Sequence, residues 1–128
     1  MITKIFALII SLLIAVSVQA SPKIEHWQTS NGARVYFVAA PELAMVDIEV
    51  VFDAGSARDG DLSGTALLTN AMLNEGAAGL NTNQIAAEFE NVGAQFSNSS
   101  ERDMAVLSMR SLTADFALKP ALATFSNV

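Results

Sequence analysis

The 128-residue chain has no cysteine and a single histidine, His26. Without cysteine, no disulfide can brace the fold, even in an oxidising compartment that would allow one. Zinc sites draw mainly on cysteine and histidine, so a zinc site made by these residues alone is not expected. Basic residues are also scarce: seven Lys and Arg stand against thirteen Asp and Glu, a formal net charge of −6. A nucleic-acid surface needs a Lys/Arg-rich face to neutralise phosphates, so the balance argues against that partner. Internal repeats and low-complexity linkers are absent as well.

The one long apolar run stands at the start. Lys4 precedes an apolar stretch at 5–18, and Val18-Gln19-Ala20 before Ser21 is the small-residue pattern that signal peptidase accepts. The stretch falls short of the roughly 20 residues that cross a bilayer, and no basic stop follows it. Residues 1–20 are therefore read as a cleaved export signal, with no stable membrane span after cleavage and a bacterial periplasm as the expected location. Lys4 leaves with the signal, so residues 21–128 are more acidic still. They suffice for one modest core.

Strands come first in that segment. Runs at 23–29 and 34–39 flank Ser30-Asn31-Gly32-Ala33, and Asn-Gly between extended runs signals a hairpin. Residues 45–53 alternate, with Val46, Ile48, Val50 and Phe52 on one face, which predicts a strand with one buried side. The stretch AGSARDGDLS at 54–63 reads as a loop, with Ser63 placed to cap the helix that follows. The near-continuous apolar set at 66–73 predicts a largely buried helix, ended by the glycines at 76 and 79. A second helix is expected at 83–92, capped by Thr82, with Ile85, Phe89 and Val92 on one stripe and Gly93 at its exit. Residues 95–98 and 103–111 read as a second hairpin. A third helix is expected from about Pro120, with Leu122, Phe125 and Val128 on one side, and no stop signal closes it. Blocks of hairpin strands and helices predict an α+β fold, a mainly antiparallel sheet with helices packed on one face.

Several features then combine in order and spacing: the hairpin at Asn31-Gly32, the strand entering Asp53-Ala54-Gly55-Ser56, the acidic loop at Arg58-Asp59, and Gly64-x-Ala66 before a helix ending in Met72-Leu73. After them come Ile85-x-x-Glu88-Phe89-Glu90-x-x-Gly93-Ala94 and the paired strands to Leu112. From about Ile24 onward the chain resembles the amino-terminal part of the pitrilysin or insulinase family of zinc peptidases, which includes mitochondrial processing peptidase. Residues 21–128 would then form a partial amino-terminal peptidase-like domain of a truncated frame or fragment. In that family the first helix carries the inverted motif His-x-x-Glu-His, two zinc ligands and a general base. The matching positions here are Leu67, Asn70 and Ala71. The resemblance therefore implies a degenerate site: Asn70 at the general-base position, Leu67 and Ala71 at the ligand positions, and no catalytic or metal-binding residue. A third family ligand, a later glutamate, would fall beyond Val128. Leu67 and Ala71 are expected to repack a buried layer in which an unliganded imidazole would leave polar atoms unsatisfied.

Other groups have plainer readings. His26 beside Trp27 is a surface histidine rather than a ligand, and Asp53, Asp59 and Asp61 lack calcium-loop spacing and form a solvated loop. Glu88 and Glu90 lie two apart on a helix and do not face each other, so they line a wet face. Asn98-Ser99-Ser100 matches a glycosylation acceptor, a pattern common by chance.

The resemblance implies an exported, non-catalytic homologue that binds substrate or supports assembly beside a zinc-bearing peptidase subunit. A peptide substrate would add to an exposed sheet edge, and zinc is expected only in an intact partner or in a missing segment. The alternative is a zinc metalloendopeptidase whose metal site lies in a segment absent from this chain.

Overall fold

Asn-Gly chemistry sets the first hairpin of the computed structural model, which describes residues 22–128; the expected export signal lies outside the described residues. Strands β1 (Ile24–Gln28) and β2 (Arg34–Val38) pair antiparallel, Ile24 opposite Val38 and Gln28 opposite Arg34. Thr29 N donates to Ala33 O at 2.9 Å and Gly32 N to Thr29 O at 3.0 Å. The loop is thus three residues long, and Gly32 takes φ +91°, the left-handed conformation that such loops require of their last residue. This hairpin belongs to a unit that ends at Pro41, separate from Glu42–Val128.

In the second unit, β3 (Met45–Phe52), β6 (Gln95–Ser100) and β7 (Ala105–Leu112) form an antiparallel sheet in the order β3-β7-β6. Met109 is paired with Ile48 on one side and Phe96 on the other, and with Leu107 and Ser111 it marks the face turned to the core. On the opposite face Arg110 forks onto Asp47, Nε to Oδ1 at 2.6 Å and Nη2 to Oδ2 at 2.8 Å. The alternation of β3 holds for Val46, Ile48 and Val50, all half-buried. Phe52 departs from it and is largely exposed, because it ends an edge strand beside an open groove.

Helices α2 (Thr82–Glu90) and α3 (Asp115–Phe125) supply the other half of the core. Ile85 and Phe89, four apart, are buried from α2, and Phe89 stacks on Phe96 with ring centroids 5.3 Å apart. Phe125 meets Phe96 edge-on at 6.0 Å. The cap of α2 is Asn81 rather than Thr82: its side chain accepts from Gln84 N while Gln84 Oε1 accepts from Asn81 N, a reciprocal box. The Thr82 hydroxyl turns instead to Glu75. Glu88 and Glu90 are exposed, as their spacing predicts.

Two further corrections concern glycine and proline. Gly76 and Gly79 do more than end a helix: β4 (Gly76–Ala77) and β5 (Leu80–Asn81) form a minimal hairpin around Ala78 and Gly79, both at positive φ, +51° and +84°. That turn ordinarily takes Asn-Gly, and alanine in its first place hides it from a sequence reader. The last helix starts at Asp115, with Pro120 inside it. Burial of Ala117 and Ala121, four apart and fully enclosed, outweighs the amide hydrogen that Pro120 cannot supply to the carbonyl of Phe116.

Candidate functional site

The segment 53–73 carries the three positions singled out from the sequence. It begins where β3 turns at Asp53-Ala54-Gly55. Gly55 has φ +132°, and a Cβ there would stand 2.6 Å from Glu101 O, so the chain passes against the β6–β7 turn only as glycine. Ser56 N and Ala57 N donate to Glu101 O and Arg102 O at 3.1 and 2.7 Å, fastening the loop. A single turn of 3-10 helix follows at Ser56–Arg58, and Arg58 pairs with Asp53.

Asp59 organises the next turn. Its carboxylate accepts from Gly64 N at 2.7 Å and Ala66 N at 2.8 Å, satisfying two amides at the start of α1 (Thr65–Ala71). The cap is thus Asp59, reached from five residues upstream, and Ser63 makes no cap bond. Gly64, at φ +92°, makes the left-handed step into the helix. Of the three loop aspartates, Asp53 and Asp59 have structural partners and Asp61 is exposed.

Helix α1 is not largely buried. Its inward residues are Ala66 and Asn70, continued by Leu73 in the turn that follows, and Asn70 is the one fully buried member at 6% exposure. Leu67 and Leu68 are each 63% exposed, Met72 is 54% exposed, and Ala71 is exposed. The expected repacked apolar layer is therefore absent at these positions: the leucines lie off the stripe that a seven-residue helix can turn to the sheet. The seat is polar instead. Asn98 Nδ2, from β6, donates to the carbonyl oxygen of Asn70 at 2.5 Å, which commits the amide of the glycosylation-like triplet to holding the helix end.

Residues 67 and 71 stand one helical turn apart on the open side, with Asn70 turned inward. The donor chemistry does not fit zinc: two hydrocarbon side chains and one amide occupy the three positions. His26, the sole imidazole, lies in the hairpin unit, exposed and stacked on its cross-strand partner Tyr36 at 6.4 Å. Among the described residues no three His, Cys, Asp or Glu side chains gather closely enough to hold a metal. An open apolar groove of about 770 Å³ runs between α1, the sheet and the end of α3, lined by Val50, Phe52, Ala66, Leu107, Phe125 and Val128. Sequence reasoning missed it, since its walls come from four separate segments.

Two of the exposed ion pairs shift a carboxylate. The guanidinium of Arg110 holds the Asp47 carboxyl below the usual carboxylate range by hydrogen bonding, and Arg58 does the same for Asp53. No helix among the described residues is long and apolar enough to cross a membrane.

This arrangement, an antiparallel sheet backed by helices with a short helix set on its rim, is an α+β domain. The family model described as Insulinase (Peptidase family M16) matches residues 34–128, and the chain belongs to that family. A peptidase M16 inactive domain from Pseudomonas fluorescens is 50% identical, with a TM-score of 0.80 over 82% of this chain. A protease from Helicobacter pylori shares the fold at 18% identity, with a TM-score of 0.72 over 84% of the chain. The match covers 26% of each of those two proteins, so the chain spans about a quarter of their length. No curated protein matches.

Proposed function

We propose that this chain is a non-catalytic member of the M16 peptidase family that is exported and serves substrate binding or assembly beside a zinc-bearing peptidase subunit. The observation that carries the reading is α1. Leu67, Asn70 and Ala71 stand where the family motif requires histidine, glutamate and histidine, so the helix offers neither ligands nor a base. The half-identical relative from Pseudomonas fluorescens, described as an inactive domain, supports it. Zinc and the attack on the peptide bond belong, on this reading, to the partner. The contribution of this chain is a surface: an exposed sheet edge able to accept an extended peptide through main-chain hydrogen bonds.

The test has two arms. Elemental analysis of the purified chain is expected to give no stoichiometric zinc; one zinc per chain would overturn the non-catalytic reading. Mixed with a family member that carries His-x-x-Glu-His and is encoded beside it, the chain is expected to co-elute and to raise peptide hydrolysis. Separate elution with unchanged hydrolysis would overturn the pairing. Sequencing of the secreted product from Ser21 checks the export step.

A further inference from the structure

The turn of the first hairpin places an asparagine side chain, a glycine amide and a threonine hydroxyl together on an exposed loop. Asn31 and Gly32 are both exposed, and space is open on the Cα side of Gly32, where an added Cβ would meet nothing nearer than Gln28 Nε2 at 3.7 Å, while the Gly32 amide itself is bonded to Thr29 O. The Thr29 hydroxyl accepts from Ala33 N at 2.9 Å and has two acceptors for its one proton, Asn31 Oδ1 at 2.5 Å and Ala33 O at 3.2 Å, of which the nearer is the Asn31 oxygen. A donor on that oxygen draws electrons from Cγ and steadies the negative charge that forms there when a nucleophile adds.

We propose that Asn31-Gly32 is a self-modification site, at which the Gly32 amide nitrogen attacks Asn31 Cγ and the Thr29 hydroxyl assists. The N–Cγ bond forms as the Gly32 amide proton passes to solvent base. The Cγ–Nδ2 bond then breaks, and ammonia leaves with a proton from water. Water next opens the cyclic imide at either carbonyl, giving aspartate or isoaspartate at position 31. Thr29 has two opposed parts in this. Its backbone carbonyl accepts from Gly32 N at 3.0 Å and restrains the nucleophile, while its side chain activates the electrophile. Reaction therefore follows small openings of a turn whose strands are exposed on both faces, Val35 alone being half-buried. Isoaspartate lengthens the backbone between residues 31 and 32 by one carbon, which breaks the three-residue loop and the Thr29–Ala33 pairing.

The experiment incubates the whole chain in mildly acidic and mildly alkaline buffer and maps amide-to-acid conversion and isoaspartate by mass spectrometry. Asn74 and Asn91, followed by Glu75 and Val92, serve as internal references. Conversion at Asn31 is expected several-fold faster than at either reference and faster in alkali; conversion no faster than at Asn91 would overturn the site. Thr29→Val is expected to slow conversion several-fold while Thr29→Ser preserves it, and the difference should vanish in urea, where the turn is lost. An equal or faster rate in folded Thr29→Val would overturn the assisting role.

Discussion

Placing histidines at 67 and 71 tests the geometry of α1 directly. Residues four apart on a helix stack on one face, and here both are open to solvent, so Leu67→His with Ala71→His creates two imidazoles that can share one metal ion. The cost without metal is small. Leu67 is 63% exposed, so about a third of a side chain whose full burial contributes about 1.5–3 kcal/mol is at stake, or ~0.5–1 kcal/mol. Histidine in place of alanine at the last helical residue adds at most ~0.7 kcal/mol of propensity cost. The double variant is therefore expected about 0.5–1.7 kcal/mol less stable than the parent in urea. Zinc at about a hundredfold excess over its dissociation constant returns ~2.7 kcal/mol by linkage. The assay is urea unfolding with and without zinc, run beside each single variant. A midpoint that rises with zinc in the double variant and stays still in the singles supports the geometry. A double variant that responds no more than the singles would refute it, because the side chains could not then be adjacent on an open face.

Three further outcomes follow from the same structure. Pro120→Ala should raise stability by about 1–3 kcal/mol in urea, since alanine restores a helical amide inside α3 and relieves the ring's crowding of the preceding turn; an unchanged midpoint would mean that the helix begins at the proline after all. Asp59→Ala should cost about 0.5–2 kcal/mol and speed amide exchange at Gly64 and Ala66, whose hydrogens it would free, whereas Ser63→Ala should do neither. Asp47 and Asp53 bind protons more weakly folded than unfolded, so their contribution is complete above the ordinary value of 3.8 and is lost as pH falls through their lowered values. Stability measured down through that range should fall less steeply in Asp47→Asn than in the parent; equal slopes would show that the Arg110 pair carries none of the acid sensitivity.

Much of the architecture was legible because its signals act over a few residues. Asn31-Gly32 marked the first hairpin, alternation at Val46, Ile48 and Val50 marked β3, and the four-residue step from Ile85 to Phe89 marked the inward side of α2. Caps were less legible. Asn81 competes with the adjacent Thr82 for one role, and Asp59 reaches across a loop to amides that Ser63 stands nearer in sequence. The Ala78-Gly79 turn was hidden because alanine tolerates positive φ poorly and advertises no turn. Pro120 misled because a proline early in a helix usually marks its first turn, and only the enclosure of Ala117 and Ala121 moves the start upstream.

The sequence alone determined what chemistry this chain can offer. One histidine, no cysteine, and the hydrocarbon and amide side chains of Leu67, Asn70 and Ala71 are facts of composition that no packing alters. Which way those three residues face was decided by tertiary structure. A seven-residue helix rich in leucine reads as buried, yet its orientation is set by where Asp59 anchors its start and where Asn98, from a strand twenty-eight residues on, holds its end. Those contacts turn Asn70 inward and leave Leu67 and Ala71 open, because burial depends on the surface a helix meets and not on its hydrophobicity alone.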